Sequence, residues 1–211
     1  METLLNTQSF APTSTSKRCV DKDLAESAVE VLLEYIGEDP HRDGLKGTPR
    51  RVLKALEEMT AGYKEDPEEI LATTFDVDIA NTQMVVLDTI QFTSLCEHHL
   101  LPFSGTASVG YIPNPIIEKP IVGLSKLARL VTCFAHRLQV QERMTEQIAD
   151  ALESSLDPLG CGVVVRAVHS CMSCRGVKQP ESVMITSQMR GSFLNDINTR
   201  QEFLSCLRDH K

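Results

Sequence analysis

The sequence predicts an α+β fold: a layer of antiparallel strands covered by two long helices and preceded by a helical extension. Three observations carry this. Strand-like alternation occurs early and late in the last two-thirds of the chain, two long amphipathic stretches lie between, and the first third shows helical periodicity only. With 211 residues, 42% hydrophobic and 24% charged, the chain has material for a sizeable core, which argues against disorder or a coiled-coil rod.

Residues 1–18 are rich in Ser and Thr and read as a tail with little to bury. Between Asp21 and Ile36, Leu24, Ala28, Val31, Leu32 and Tyr35 recur at helical spacing, and Gly37 supplies a stop. After the turn-like EDPHRDGLKG, Thr48 can cap a second helix with Pro49 at its first position. Val52, Leu53, Leu56 and Met59 form its apolar stripe and Gly62 ends it. Residues 19–80 thus make a helical extension and 81–211 the main domain. From Gln83 the period becomes two, with Met84, Val86, Asp88, Ile90 and Phe92 on one face and Val85, Leu87, Thr89 and Gln91 on the other. GTASVGYIP gives a second strand. The helix after GLSK carries Leu127, Leu130, Val131, Phe134 and Leu138, and the next carries Val140, Met144, Ile148, Leu152 and Leu156. CGVVVRAVH and SVMITSQM return to strand character, and Thr199 and Glu202 form a capping box for a last short helix. The order is β-β-α-α-β-β.

Lys plus Arg number 21 and Asp plus Glu 29, a net charge of −8, which speaks against general binding to nucleic acid or anionic membrane. No stretch approaches the roughly 20 apolar residues of a membrane span. The N-terminus lacks a charged start followed by an apolar run, so no secretory leader is expected. Seven cysteines, an odd number in a chain that can fold without staples, point to a reducing, cytoplasmic setting.

The densest chemical cluster is Cys96-Glu97-His98-His99, in which Cys96 and His99 can reach one ion. A second cluster some 70 residues on holds His169, Cys171 and Cys174. Spacing alone allows a closed, structural zinc site of Cys96, His99, Cys171 and Cys174. It also allows an open, catalytic site of three ligands, with His98 and His169 left over. The two spare imidazoles favour the open site. In GLSKLAR, Gly123 and Ser125 mark a helix start whose free N–H groups attract anions, and Lys126 and Arg129 add two charges on one face. Phosphate is the natural ligand there. Arg175, Arg51 and Lys54 can serve the same anion, or these cations can be merely solvated. Gln141 and Glu142 open a helix; a carboxylate there complements the dipole, or accepts two parallel hydrogen bonds from a guanine edge. His41, His136 and His210 read as surface residues, Cys133 and Cys206 as small hydrophobes.

Taken together, SLCEHHLLPFSG, GYIP, GLSKLARLV, RLQVQERMTEQIADAL, AVHSCMSCRG and TRQEFL resemble GTP cyclohydrolase I from about Asp23 to the C-terminus, GLKGTPRRV included. The resemblance implies the tunnelling fold, in which antiparallel strands and two long helices per subunit close into rings. It also implies a homodecamer of two stacked rings, with active sites at subunit interfaces. Cys96, His99 and Cys171 then match the ligands of one zinc ion per subunit, and His98 and His169 the catalytic histidines. Ser125, Lys126, Arg129 and Arg175 match residues around the ribose and triphosphate, with Arg51 and Lys54 as further phosphate contacts. Gln141 and Glu142 match the guanine-recognition pair. The implied reaction is hydrolysis of GTP to 7,8-dihydroneopterin triphosphate and formate, which opens folate and pterin synthesis. Zinc activates water for attack at guanine C8, and His169 protonates N7. His98 with Ser125 handles protons at the ribose oxygens during the rearrangement that precedes ring closure.

Two departures from the family pattern stand out. NPIIEKPIV, between GYIP and GLSK, is longer than expected, and Cys174 sits where a cysteine is unusual. A thiolate there reaching the metal would displace its water; the expectation is that Cys174 is not a ligand. Two other readings remain open on the residues: a closed-site interaction protein, and the zinc-free, NADPH-dependent nitrile reductase of deazapurine nucleoside synthesis, which shares the fold and uses a nucleophilic cysteine.

Overall fold

A computed structural model describes residues 20–75, 83–117 and 121–207. The expected tail, His210 and the middle of the NPIIEKPIV loop lie outside these. The chain divides into two compact units, Met1–Ala55 and Leu56–Lys211. Residues 56–75 therefore pack with the sheet unit, although the sequence groups them with the extension.

In the first unit, α1 (Lys22–Tyr35) is capped by the Asp21 carboxylate and closes before Gly37, whose φ of 87° only glycine adopts freely. Its expected apolar row is not covered: Leu24, Val31, Leu32 and Tyr35 are exposed. Helix α2 (Thr48–Met59) begins at Thr48 rather than after it, and the Thr48 hydroxyl accepts from the Arg51 guanidinium at 2.9 Å.

The second unit opens with a 3₁₀ turn (Ala61–Lys64), α3 (Pro67–Leu71) and β1 (Thr74–Phe75). Gly62 does not end α2 but lies in that turn, pressed onto another segment. A Cβ there would sit 2.0 Å from the Cys133 carbonyl oxygen. There follow β2 (Val85–Cys96), β3 (Pro102–Ile112), β4 (Ile121–Val122), α4 (Leu124–Ala135) and β5 (Leu138–Gln139). The chain continues through α5 (Gln141–Leu156), β6 (Gly160–His169), α6 (Ser170–Ser173), β7 (Met184–Gly191), α7 (Ser192–Asn195) and α8 (Ile197–Cys206). Four long strands and two long helices dominate, with short strands that periodicity does not announce. Among the described residues no helix is long and apolar enough to cross a membrane.

The main sheet has the order β5-β2-β3-β6-β7, antiparallel except for the short parallel β2–β5 pairing. Helices α4 and α5 cover one face, where Phe103, Tyr111, Leu127, Leu130, Met144, Ile148 and Leu152 are at most 1% exposed. On the other face Phe193 and Phe203, edge to face at 5.2 Å, cover Gly110 and Gly162, which are directly paired across β3 and β6. Leu138, expected on the α4 stripe, leaves the helix after Ala135 and enters β5 instead. His136, expected at the surface, is half-buried, and its carbonyl accepts from Gly62 N–H at 3.0 Å.

Strict alternation fails in β2. Leu87 pairs with Val109 but Ile90 with Ala107, so Asp88 and Thr89 together oppose Ser108. This is a β-bulge, with Thr89 at φ 58° and the Asp88 carboxylate accepting from Thr89 N–H and the Ser108 hydroxyl. The extra residue flips the strand's first half. Val85 and Leu87 join Ile90 and Phe92 in the large core, and Met84 and Val86 join the Phe193–Phe203 cluster, opposite to the expected assignment. The last helix also differs: its cap is Asp196, accepting from Asn198 and Thr199 N–H, and Thr199 lies inside the helix.

Gly105 marks the tightest approach between strands, since a Cβ there would fall 1.8 Å from the Arg166 carbonyl oxygen. Backbone cannot yield as a side-chain tip can. Overpacking of about 3 kcal/mol or more is expected of Gly105→Ala, a fall of roughly 6 °C or more in the unfolding midpoint. The neighbouring exposed Ser104→Ala should shift it by less than about 2 °C. Equal midpoints for the two variants in a thermal scan would refute this account of the strand approach.

Candidate active site

Three strand ends make the site. In the β2–β3 hairpin Leu95 pairs with Pro102, and Phe103 pairs in turn with His169 at the end of β6. Because β3 lies between, residues some 70 positions apart in sequence arrive at one end of the sheet. The hairpin turn folds back on Cys96, whose carbonyl accepts from both His99 N–H at 3.2 Å and Leu100 N–H at 2.8 Å. That brings His99 over Cys96, with Sγ to Nδ1 at 3.8 Å. Past β6 the chain makes the single turn of α6, which carries Cys171. The donor atoms of Cys96, His99 and Cys171 lie within 4.8 Å of one another, and this is the one such group among the described residues.

Cys174 is not part of it. Its exposed thiol donates to the Ser170 carbonyl at 2.8 Å. Two thiols and an imidazole, with no fourth donor grouped with them among the described residues, suit a borderline-soft ion such as zinc in an open site. Without an ion, burial and the nearby Cys96 thiol push the Cys171 pKa up. A bound cation reverses this, since a coordinating thiol is deprotonated outright.

His169 stacks flat on Phe103, with centroids 4.5 Å apart and planes 2° from parallel. Its Nε2 lies 2.9 Å from Gln141 Oε1. Gln141 is 1% exposed, and its amide nitrogen donates to the Val165 and Met184 carbonyls at 3.1 Å and to the Thr186 hydroxyl at 3.2 Å. With the amide nitrogen so placed, Oε1 must accept, and the network assigns the proton to His169 Nε2, leaving Nδ1 for a ligand. Burial lowers the His169 pKa, opposed by the negative charge of Glu142. Gln141 was expected beside Glu142 as a base-reading side chain; its carboxamide is instead consumed inside the protein. Glu142 is exposed. His98 is exposed on the turn, its Nε2 3.9 Å from the Glu97 carboxylate.

The expected anion side stands apart. Gly123 caps α4 through backbone geometry, with Ser125 and Arg129 exposed and Lys126 half-buried. Val122 N–H donates to the Tyr111 hydroxyl, which places the start of α4 near the β3 end opposite Phe103. Helix α4 then runs its 12 residues toward the metal-type end, about 18 Å at 1.5 Å per residue. Within one chain, Ser125 and Lys126 are therefore not brought to the Cys96–His99–Cys171 group. Arg175 is exposed, and its charge acts on Cys171. Arg51 and Lys54 belong to the first unit, where Arg51 also donates to the Gly44 carbonyl at 3.3 Å.

A family model for GTP cyclohydrolase I matches residues 25–208. The chain belongs to that family. It is 51% identical over 189 residues to GTP cyclohydrolase 1 of Wolinella succinogenes, covering 89% of this chain and 98% of that protein. To the GTP cyclohydrolase 1 of a Synechococcus strain it is 52% identical, over 86% of this chain and 77% of the other. The Rickettsia bellii protein of the same name is 51% identical over 87% and 94%. Among solved structures, the apo form of the archaeosine synthase QueF-Like aligns over 53% of this chain and 96% of its own, with 15% identity and a TM-score of 0.39, too remote to bear on the chemistry. Membership in the GTP cyclohydrolase I family carries GTP cyclohydrolase activity in pterin and folate synthesis.

Several residues that shape the site escape a reading of the sequence. Phe103 supplies the surface beneath His169, Glu97 pairs with Arg143, and Gln139 is buried against both long helices. Their partners lie far off in sequence, and only the position of Glu97 between Cys96 and His98 hints at a role. The remaining cysteines serve packing where buried: burial raises the Cys133 pKa and pushes Cys161 up to about 12. Cys206, expected among the hydrophobes, is exposed.

Gln141→Leu should remove the donors to the Val165 and Met184 carbonyls and the Thr186 hydroxyl, at a cost of about 1–3 kcal/mol, and free the His169 ring. Chemical unfolding should register the loss, and the His169 ring protons should show exchange broadening in NMR spectra. A variant as stable as the native protein would mean the carboxamide is not holding the strands.

Proposed function

We propose that this chain is a zinc-dependent hydrolase that converts GTP to 7,8-dihydroneopterin triphosphate and formate, with one zinc ion per subunit held by Cys96, His99 and Cys171. The observation that carries this reading is the three-donor group, from which the nearby fourth cysteine is turned away. When bound there, zinc supplies Lewis acidity that makes water acidic enough to act near neutral pH.

The protein's own residues do the rest. Phe103 and Gln141 hold His169 in one plane with Nε2–H on the carboxamide, so that Nδ1 faces the base and, once the ring has taken up a second proton there as imidazolium, passes that proton to guanine N7 and makes C8 electrophilic. Glu142, at the exposed start of α5, accepts from the guanine N1–H and exocyclic amine, a pairing adenine lacks. Gln141 contributes by positioning His169 rather than by reading the base. His98, on the exposed turn, handles protons at the ribose oxygens together with Ser125. Lys126, Arg129 and Arg175 bind the triphosphate, with Arg51 and Lys54 as further contacts; the phosphates do not react.

Because one chain keeps the start of α4 away from its metal end, the complete site needs residues from neighbouring copies. This supports active sites at the interfaces of a homo-oligomer, for which the family resemblance implies a homodecamer of two stacked rings. The odd number of cysteines, three of them in or beside the metal-type group, fits a reducing, cytoplasmic setting.

Purified, zinc-loaded, reduced protein incubated with GTP should yield both formate and dihydroneopterin triphosphate by mass spectrometry. Absence of both from a correctly assembled sample would overturn the assignment. His169→Ala should retain its zinc and lose at least about a hundredfold in turnover, within the range of general acid–base contributions. Cys174→Ser should change neither zinc content nor turnover, whereas Cys171→Ser should lose the metal. Co-assembly of inactive Lys126→Ala and His169→Ala subunits should restore part of the activity, because some interfaces then receive an intact residue of each kind. Activity no higher than the sum of the parents would place the whole site within one chain.

A further inference from the structure

We propose that Arg143 is a positioning residue for the metal centre, holding the Cys96–His99 turn through Glu97; this rests on the zinc reading above. The guanidinium bridges three acceptors, two in β5 and one on the turn after β2. Nε donates to Gln139 Oε1 at 3.2 Å, and Nη2 donates to the Leu138 carbonyl at 3.0 Å and to the Glu97 carboxylate. Glu97 lies directly between Cys96 and His98, one residue from the first ligand and two from His99.

The other end of the link is rigid. Gln139 is 1% exposed, and its amide nitrogen donates to the Phe134 carbonyl at 3.0 Å and to Gln147 Oε1 at 2.9 Å, tying it to the last turn of α4 and the second turn of α5. Backbone reinforces the join. Cys96 pairs with Gln139 in parallel register, and Glu97 N–H donates to the Gln139 carbonyl at 3.0 Å. The turn bearing two metal ligands is thus fastened to the helical layer through one segment, 138–143, and Arg143 is the side chain that closes the link.

Arg143 is also a cation near a nucleotide site, and an alternative role is to grip a phosphate. Its Nε and Nη2 donors are already engaged by the protein, and Nη2 is held against the Glu97 carboxylate, a geometry that ties the guanidinium to the turn. A lysine cannot replace it, because an ammonium group does not present donors in a planar fork across three acceptors.

The test uses full-length, assembled, zinc-loaded protein and follows zinc transfer to a chromophoric chelator. Arg143→Ala and Arg143→Lys should each release zinc about tenfold to a hundredfold faster than the native chain, the range seen when outer partners of metal ligands are removed. Glu97→Ala, at a side chain about a third exposed and so tolerant of change, should do the same. The double variant should be little worse than either single one, since both break one link, and KM for GTP should stay within about twofold. Native rates of zinc release in all variants would overturn the proposal. So would a raised KM with normal zinc release, which would make Arg143 a substrate contact. If the native chain itself retains no zinc, the metal reading falls, and this inference with it; that failure is distinct, because it shows before any variant is made.

Discussion

The carboxamide of Gln141 is where helix, sheet and chemistry are joined. Buried at the first residue of α5, it donates to backbone carbonyls of β6 and β7 and to a β7 hydroxyl, and it accepts from His169. A neutral amide can enter the core because all its hydrogen-bonding groups find partners, whereas a carboxylate in the same place would be left with a costly unsolvated charge. The next residue, Glu142, stays in water. One helix start therefore presents a locked neutral group inward and an exposed carboxylate outward, and the geometry of the histidine follows from the first.

The metal-type end depends on a similar economy of position. Two ligands come from a hairpin turn and one from a single helical turn, both set by strand ends that flank β3. Sheet register, rather than any local motif, decides that they meet. The same register explains why Cys174 stays outside: one turn after Cys171, its thiol is satisfied by a carbonyl of its own turn.

The parts legible in the sequence were those governed by local rules. The amphipathic stripes of α4 and α5 and the strand character of β3, β6 and β7 follow from period, and the Cys/His clusters follow from ligand chemistry. What local rules miss is set by distant partners. The bulge at Asp88 and Thr89 is stabilised by Ser108 across the sheet, so alternation alone assigns Met84 and Val86 to the wrong face. Leu138 fits a helical stripe and is nonetheless drawn into β5 by pairing with Leu95. Gln141 has the chemistry of a base reader, but the acceptors that claim its amide lie 24 and more residues away. The uncovered apolar row of α1 shows the same limit from the other side, since periodicity announces a face without saying what covers it.

The paired glycines of β3 and β6 carry a further implication. Gly110 and Gly162 leave a patch of bare backbone on the sheet, and the rings of Phe193 and Phe203 fit against it because no side chain stands there. That makes the final helical segment a cover over a two-strand apolar window, beside β7, the last strand of the sheet among the described residues. Fraying of α8 would withdraw Phe203 and uncover the window. Such a surface invites another apolar face to lie against it, so the segment Ser192–Cys206 shields a patch of sheet as much as it completes the smaller core.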